Sequence, residues 1–463
     1  MTSSNVNSQP QRIHFIAIGG AAMHNLALVL QQKGYIVTGS DDEIYEPAKT
    51  RLEKAGLFPA EMGWFPEKIT PELDAIILGM HARADNPELI QAQGLGIRVY
   101  SYPEFVYQQS LNKQRIVVAG SHGKTTTTAI ILHVLKFFNR KFDYLVGARV
   151  SGFDTMVKLS DDAPIIVIEG DEYFSSPIDR QPKFLHYHPH ITLISGIAWD
   201  HINVYPEFEE YVHQFELLAE DSPKGGMLIY DETDDVVSVI CKKERPDVQP
   251  FGYGEHAHVI RDGKTYLVKS NGEEVPLLIF GGHNMKNLNG AKTVLEKLGI
   301  EDFMFYEAIQ SFTGAANRLE QVGENENTVV FRDFAHAPSK LEATANAVKS
   351  QFPDRELVAC VELHTFSSLN KYFLPQYKGK FNMPDVAAVY YSPHTIEHKK
   401  LTPITPADII EAFGNLNLKV FTDNQELKSF LLAQDWSNAN LLLMSSGTFD
   451  GLNVPELVKE ILN

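Results

Sequence analysis

The stretch RIVVAGSHGKTTTTAI (residues 115–130) decides how the chain around it is read. A common phosphate-binding loop has the form G-x-x-x-x-G-K-[ST]. Counting back from Gly123-Lys124-Thr125 puts Val118 where the first glycine should stand. The physical requirements are met all the same. An apolar strand ends at Gly120, Ser121-His122 make a very short loop, and Lys124 opens a helix. Glycines let the backbone approach an anion, the N–H groups and dipole of a helix start face it, and lysine adds a point charge. The hydroxyl of Thr125 is placed to touch Mg2+. The bland alternative is a glycine turn carrying a surface lysine.

Two later stretches favour the phosphate site. IIVIEGDEY ends an apolar strand on Glu169, and in a parallel sheet such a strand end lies beside the loop, where a carboxylate can hold Mg2+. ISGIAWDHINVYP likewise puts Asp200-His201 after a strand. Any one acid at a strand end is more often a helix cap, so the weight lies on the combination. His186, His188 and His190 of HYHPHITL invite a zinc site, but no cysteine or acid stands at ligand spacing, and a strand surface is the expectation.

Upstream, RIHFIAI, GGAAM, HNLALVLQQKG and YIVTGSD read as strand, turn, helix and strand. A dinucleotide fingerprint there would need glycine at 17, 19 and 22, whereas the chain has Ala17, Gly19 and Ala22. Asp41 does stand where a ribose-binding acid belongs. A pyrophosphate of another kind still suits this turn. Two nucleotide-type sites in succession suggest a nucleoside-diphosphate substrate together with ATP.

Strands alternating with helices continue through DAIILG (74–79) and GIRVYSYPEF (96–105), which indicates βαβ units. The polar QQSLNKQ (108–114) breaks the pattern near residue 112. A second α/β unit follows, with residues 225–280 reading as an antiparallel insertion. A third begins after GAANRL (314–319), with strands TVVFRDFA, ELVACVEL, VAAVYYSP and NLLLMSSG and a helix from about 338.

Composition sets the outer limits. The 463 residues carry 41 basic and 59 acidic side chains, a net charge of −18. No basic face is evident, which argues against a nucleic-acid partner. No apolar run approaches the ~18 residues of a membrane span. The polar start MTSSNVNSQPQ reads as a disordered tail over 1–11 without a secretory signal. Cys241 and Cys360 stand in no metal or redox spacing, as suits a reducing cytoplasm.

GSHGKTTTT, EGDEY, DH, HNMKNLNGA, FTGAANRLE and DFAHAP, in this order, resemble the Mur ligases, ATP-dependent amide-forming enzymes of peptidoglycan assembly. The family's loop, G-[TS]-x-G-K-[TS]-[TS], matches Gly120 to Thr126. The resemblance implies three α/β domains in series: a Rossmann-like UDP-sugar domain (12–111), a central P-loop ATPase domain with a parallel sheet (112–315) and a Rossmann-like amino-substrate domain (316–463). It implies ATP and Mg2+ as cofactors. Gly120, Ser121, His122, Gly123, Lys124, Thr125 and Thr126 would cradle the phosphates, Thr125 and Glu169 would hold Mg2+, and His201 would sit at a second metal position. Asn284 and Asn287 would border the adenine. Arg318 and Asp333, with His336 nearby, would reach ATP from the third domain. Gly19, Gly20, Ala22, Asp41 and His81 would line the UDP site.

The opening IHFIAIGGAAM…GSD is similar to the branch that binds UDP-N-acetylmuramate itself. GSDDEIYEPAKTRLEKAGL, EGDEYFSSPIDRQPKFLHYHPHITLIS and FRDFAHAPSKLEATANAV point within it to L-alanyl-γ-D-glutamyl-meso-diaminopimelate as the amine partner, with L-alanine as the alternative. The substrates are then small molecules, with no membrane or nucleic-acid partner and no oligomer predicted. Some residues depart from the family pattern. Arg332 replaces an acid, Asn317 replaces the first of an arginine pair, and VELHTFSSLN (361–370) lacks arginines often found there. Where many relatives carry a carbamylated lysine, the count lands on Glu216, which would supply a carboxylate or face solvent. The readings from other classes are a nucleotide-sugar-binding regulator without catalysis and, last, a dehydrogenase.

Overall fold

A computed structural model describes residues 11–243 and 245–463, so the tail expected over 1–11 lies, apart from Gln11, outside the described residues. Three successive α/β units follow one another along the chain, each built on a mainly parallel sheet.

The first sheet has four parallel strands in the order Ile36–Ser40, Arg12–Ile16, Ala75–Leu78, Arg98–Ser101. Helix Ala21–Gln32 follows the small-residue turn and buries Met23 through Leu30 on the sheet. The third sheet has six strands, in the order Glu320–Glu324, Val329–Asp333, Ala439–Met444, Glu356–Leu363, Val386–Tyr391, Lys419–Phe421. Only its first strand runs antiparallel.

The central sheet positions the site. Its seven strands run Gln249–Tyr253, Met227–Asp231, Ile191–Ile194, Gln114–Ala119, Ile165–Glu169, Asp143–Leu145, Val157–Lys158, and only the last pair is antiparallel. Val118 belongs to the middle strand, opposite Leu193 on one side and Glu169 on the other, and it is fully buried. A valine buried this way stabilises the sheet by roughly 1.5–3 kcal/mol relative to an exposed one. The missing glycine is therefore a core residue, and the loop starts two residues later. Because the three middle strands are parallel neighbours, the segments leaving their C-terminal ends emerge at one edge. Those segments are Gly120–Gly123, Gly170–Tyr173 and Ser195–His201.

Two expectations need correction. Within 225–280, Met227–Asp231 and Gln249–Tyr253 extend the parallel sheet, and only His258–Arg261, Lys264–Val268 and Glu274–Pro276 form an antiparallel unit. The three alternating histidines do not share a strand surface either, since Lys183–His186 is a 3-10 turn and His188 has a φ of 42°. His186 pairs with Asp179 and His188 with Asp221, while His190 accepts the Arg115 backbone N–H. No helix among the described residues is long and apolar enough to cross a membrane.

Candidate active site

The chain reverses from strand to helix between Ala119 and Lys124 with Gly123 at φ 77°, a conformation that favours glycine. A Cβ there would also strike the side-chain oxygen of Asn287. Lys124 Nζ donates to the Gly120 carbonyl at 2.7 Å and to Glu172 Oε2 at 2.7 Å. Burial works against the charge on Lys124, but Glu172 and Asp171 more than offset it and hold its pKa above the ordinary lysine value. Thr125 Oγ1 donates to Glu169 Oε1 at 2.6 Å, and Glu169 Oε2 accepts the Gly147 N–H at 2.8 Å. Burial, with Asp171 nearby, pushes the Glu169 carboxyl up. A hydroxyl and a carboxylate in contact at the start of this helix are hard oxygen donors of the kind Mg2+ takes.

His201 turns to the neighbouring acid. Its Nε2 lies 3.3 Å from Glu172 Oε1, and its ring packs 5.5 Å from that of Tyr173. Burial raises the Glu172 pKa, yet Lys124 and His201 together bring it well below the usual carboxylate range. Burial lowers and Glu172 raises the His201 pKa, with a net upward shift. Glu172 is thus a shared anion between the phosphate-loop lysine and the histidine. Asp200, beside His201, faces across to the third unit, 3.4 Å from Lys340 Nζ and 3.7 Å from His336 Nε2. Burial opposes the Asp200 charge, but Lys340 and His336 hold its carboxyl far below the ordinary value. Among the described residues no three His, Cys, Asp or Glu side chains converge as a ready metal site.

Arg318 reaches over from the third unit, its Nη2 3.4 Å from Thr125 Oγ1 and its guanidinium 4.6 Å from the Phe334 ring centre. Asp333 accepts the backbone N–H groups of Leu319 and Ala335, each at 2.6 Å. It thereby fixes the turn in which Asn317 and Leu319 take φ values of 56° and 46° and from which Arg318 projects. His336 is anchored through Nδ1 to the Phe334 carbonyl at 2.8 Å. Asn284 donates to Phe280 O at 2.9 Å, and Asn287 lies alongside at 3.4 Å. His122 and His283 are enclosed next to them, each with its pKa lowered to about 4, first by burial.

These groups line one cavity of about 990 Å³ between the central and third units. Lys124, Thr125, Glu169, His201, Asn284, Asn287, Arg318, Asp333 and His336 all face it. The five residues expected at the sugar-nucleotide site lie elsewhere, at the C-terminal edge of the four-stranded sheet. Asp41 Oδ2 accepts the Gly19 N–H at 2.7 Å, Gly20 precedes the helix, Ala22 packs on the core, and His81 follows the third strand. Glu216 does not line the cavity, which of its two expected roles leaves the solvent-facing one. Helix Phe208–Glu220 turns Tyr211, Phe215, Leu218 and Ala219 inward. Glu216 instead meets His213 and Lys243 at 3.1 and 3.2 Å on the outer face. Sequence reasoning named neither Glu172 nor Lys340 as a site residue. Glu172 stands inside the quoted EGDEY, so a signal existed for it, whereas Lys340 follows DFAHAP with no motif of its own.

Comparison with known proteins settles the family. Residues 12–114 match the model described as Mur ligase family, catalytic domain, and residues 118–295 match the Mur ligase middle domain. A UDP-N-acetylmuramate--L-alanyl-gamma-D-glutamyl-meso-2,6-diaminoheptandioate ligase of Escherichia coli is 30% identical, over 73% of this chain and 76% of its own. The chain belongs to the Mur ligase family. As a Mur ligase it is an ATP-dependent enzyme that joins an acid to an amine through a C–N bond, in peptidoglycan synthesis. A UDP-N-acetylmuramate--L-alanine ligase of Sulfurihydrogenibium is 28% identical and covers 91% of each chain. The crystal structure of a murein peptide ligase from Psychrobacter arcticus shares this Mur ligase fold, with a TM-score of 0.65 and 24% identity over 98% of this chain and 99% of that one.

Proposed function

We propose that this Mur ligase joins the amine of L-alanyl-γ-D-glutamyl-meso-diaminopimelate to the lactyl carboxylate of UDP-N-acetylmuramate, in the cytoplasm, as a step of peptidoglycan recycling. The observation that carries the ATP chemistry is the convergence of Lys124, the Thr125–Glu169 pair and Arg318 on one cavity from two units of the chain. The choice of amine is supported by the resemblance of residues 169–195, which here include the hairpin Phe174–Ser176 with Asp179–Pro182, directly after Tyr173 of the cavity wall.

In the first step a carboxylate oxygen of the sugar attacks the γ-phosphorus of ATP. The bond to the bridging oxygen breaks and ADP leaves with the electron pair, producing an acyl phosphate. The amine then attacks the acyl carbon, loses a proton, and expels phosphate through a tetrahedral intermediate. Attack of one anion on another requires positive charge around the phosphoryl group, and Lys124 and Arg318 supply it from opposite units. Thr125 and Glu169 would hold Mg2+, which would screen the phosphate charge. Glu172 keeps Lys124 aimed along the loop until the phosphates arrive. His336, its pKa lowered by burial and by Lys340 against the pull of Asp200, faces that carboxylate at the cavity wall.

Phosphate release with UDP-N-acetylmuramate, ATP and Mg2+, offering the tripeptide and L-alanine in parallel, tests the reading. Turnover is expected with the tripeptide. Turnover with alanine alone would make the chain an alanine ligase, and turnover with neither would leave a binding protein.

A further inference from the structure

One cation on the cavity wall has no part in the chemistry described so far. Lys340 is the third residue of helix Pro338–Gln351, and its side chain is 23% exposed. Its ammonium has three N–H donors. Asp200 Oδ2 takes at most one of them, at 3.4 Å, and the same oxygen also faces His336. Lys124 and Arg318 repel it from the other walls. Burial, with these two cations adding to it against the pull of Asp200 and Glu172, holds the Lys340 pKa below the ordinary lysine value. Glu172, the other anion that attracts it, is already taken up by Lys124 and His201, so an ammonium with one long ion pair and two like charges nearby keeps donors for a further anion. What the three cations share is the space between them, and that space is where the loop and the Thr125–Glu169 pair direct the terminal phosphate.

We infer that Lys340 is a catalytic residue that meets the transferred phosphoryl group from the third unit, opposite Lys124. This rests on the ATP-ligase reading above. As the carboxylate oxygen bonds to the γ-phosphorus and ADP leaves, the ammonium donates to the phosphoryl oxygens while Asp200 keeps it in place. It holds the same oxygens when the amine expels phosphate from the acyl carbon. The lysine undergoes no net proton change, so the atoms balance as in the two steps already given. A rival role is a latch between the central and third units, made by the Asp200 contact alone.

Affinity for ADP and for β,γ-imido-ATP separates the two. Full-length wild type, K340M and K340R are titrated with each nucleotide in Mg2+. A charge-assisted hydrogen bond to the terminal phosphate predicts that K340M loses about tenfold or more in affinity for the imido analogue and none for ADP. K340R should recover part of that loss. The kcat of phosphate release should fall about 100-fold in K340M with the KM for the sugar nucleotide unchanged. Equal weakening of both nucleotides, or no change in either, would overturn the assignment. Should K340M fail to fold, K340Q, which can still donate to Asp200 without a charge, carries the same comparison. Failure of the wild type to bind either nucleotide would instead refute the ATP-site reading, and the Lys340 assignment would fall with it.

Discussion

Glu172 shows how much of this site depends on single charges. It is buried, and it answers both Lys124 and His201. Removing one member of a buried ion pair leaves an uncompensated charge, which costs about 3–5 kcal/mol. E172Q should therefore lower the unfolding free energy by about 3 kcal/mol in a urea titration, and it should reduce phosphate release as Lys124 loses its guide. Asp41 carries a pH dependence of its own. Burial raises its pKa from 3.8 to about 6, so the folded state disfavours the ionised form. Relative stability is then greatest below the unfolded value, declines as pH rises through about 6, and stays reduced above. D41N should accordingly melt higher than wild type at pH 8, with the difference closing near pH 4; an equal gap at both would refute the shift. At this scale the sequence was legible where a motif spaces its residues. Lys124, Thr125 and Glu169 meet as expected. Lys340 was not, because its partner Asp200 lies 140 positions away and only the folded chain brings them together.

Among elements, the strand–loop–helix at 114–137 was read correctly because its period changes within a few residues, from an apolar run to a helix opened by Gly-Lys. The parallel strands Met227–Asp231 and Gln249–Tyr253, the last two on one side of the central sheet, were not. They are short, they are separated by turn residues and a seven-residue helix, and nothing local distinguishes such a segment from a hairpin. Glu216 stood between two readings for a related reason. A count along the chain gives a position but not a face, and a residue next to the inward-facing Phe215 is turned about 100° away on a helix. The loop edge also has a steric requirement. Gly196 has φ 143°, and a Cβ on it would run into the ring of His122. G196A should displace His122 and weaken ATP binding by tenfold or more while leaving the melting curve cooperative, which nucleotide titration and calorimetry together would check.

The molecule as a whole works across boundaries between its units, and Trp199 ties two of them. It packs against the cores of the central and third units, 5.9 Å from Phe373 between ring centres. Truncating a half-buried aromatic of this kind costs about 2–3 kcal/mol, below the range for a full core aromatic. W199A should lower the melting temperature and split the transition as the third unit loosens. The order of three α/β units was legible from alternating strands and helices, since each unit repeats the pattern. How the units face one another was not, because the packing between them, such as helix Pro338–Gln351 on helix Gly282–Lys297, joins segments far apart in the chain and leaves no local spacing signal.

The central claim is that the acid is activated by phosphoryl transfer in the cavity shared by the central and third units. It is tested most directly with UDP-N-acetylmuramate labelled with oxygen-18 in its lactyl carboxylate. Turnover with ATP, Mg2+ and the tripeptide should release phosphate carrying one labelled oxygen, and K124A should release none. Unlabelled phosphate from the wild type would mean that water, not the sugar carboxylate, takes the phosphoryl group, and would contradict the account.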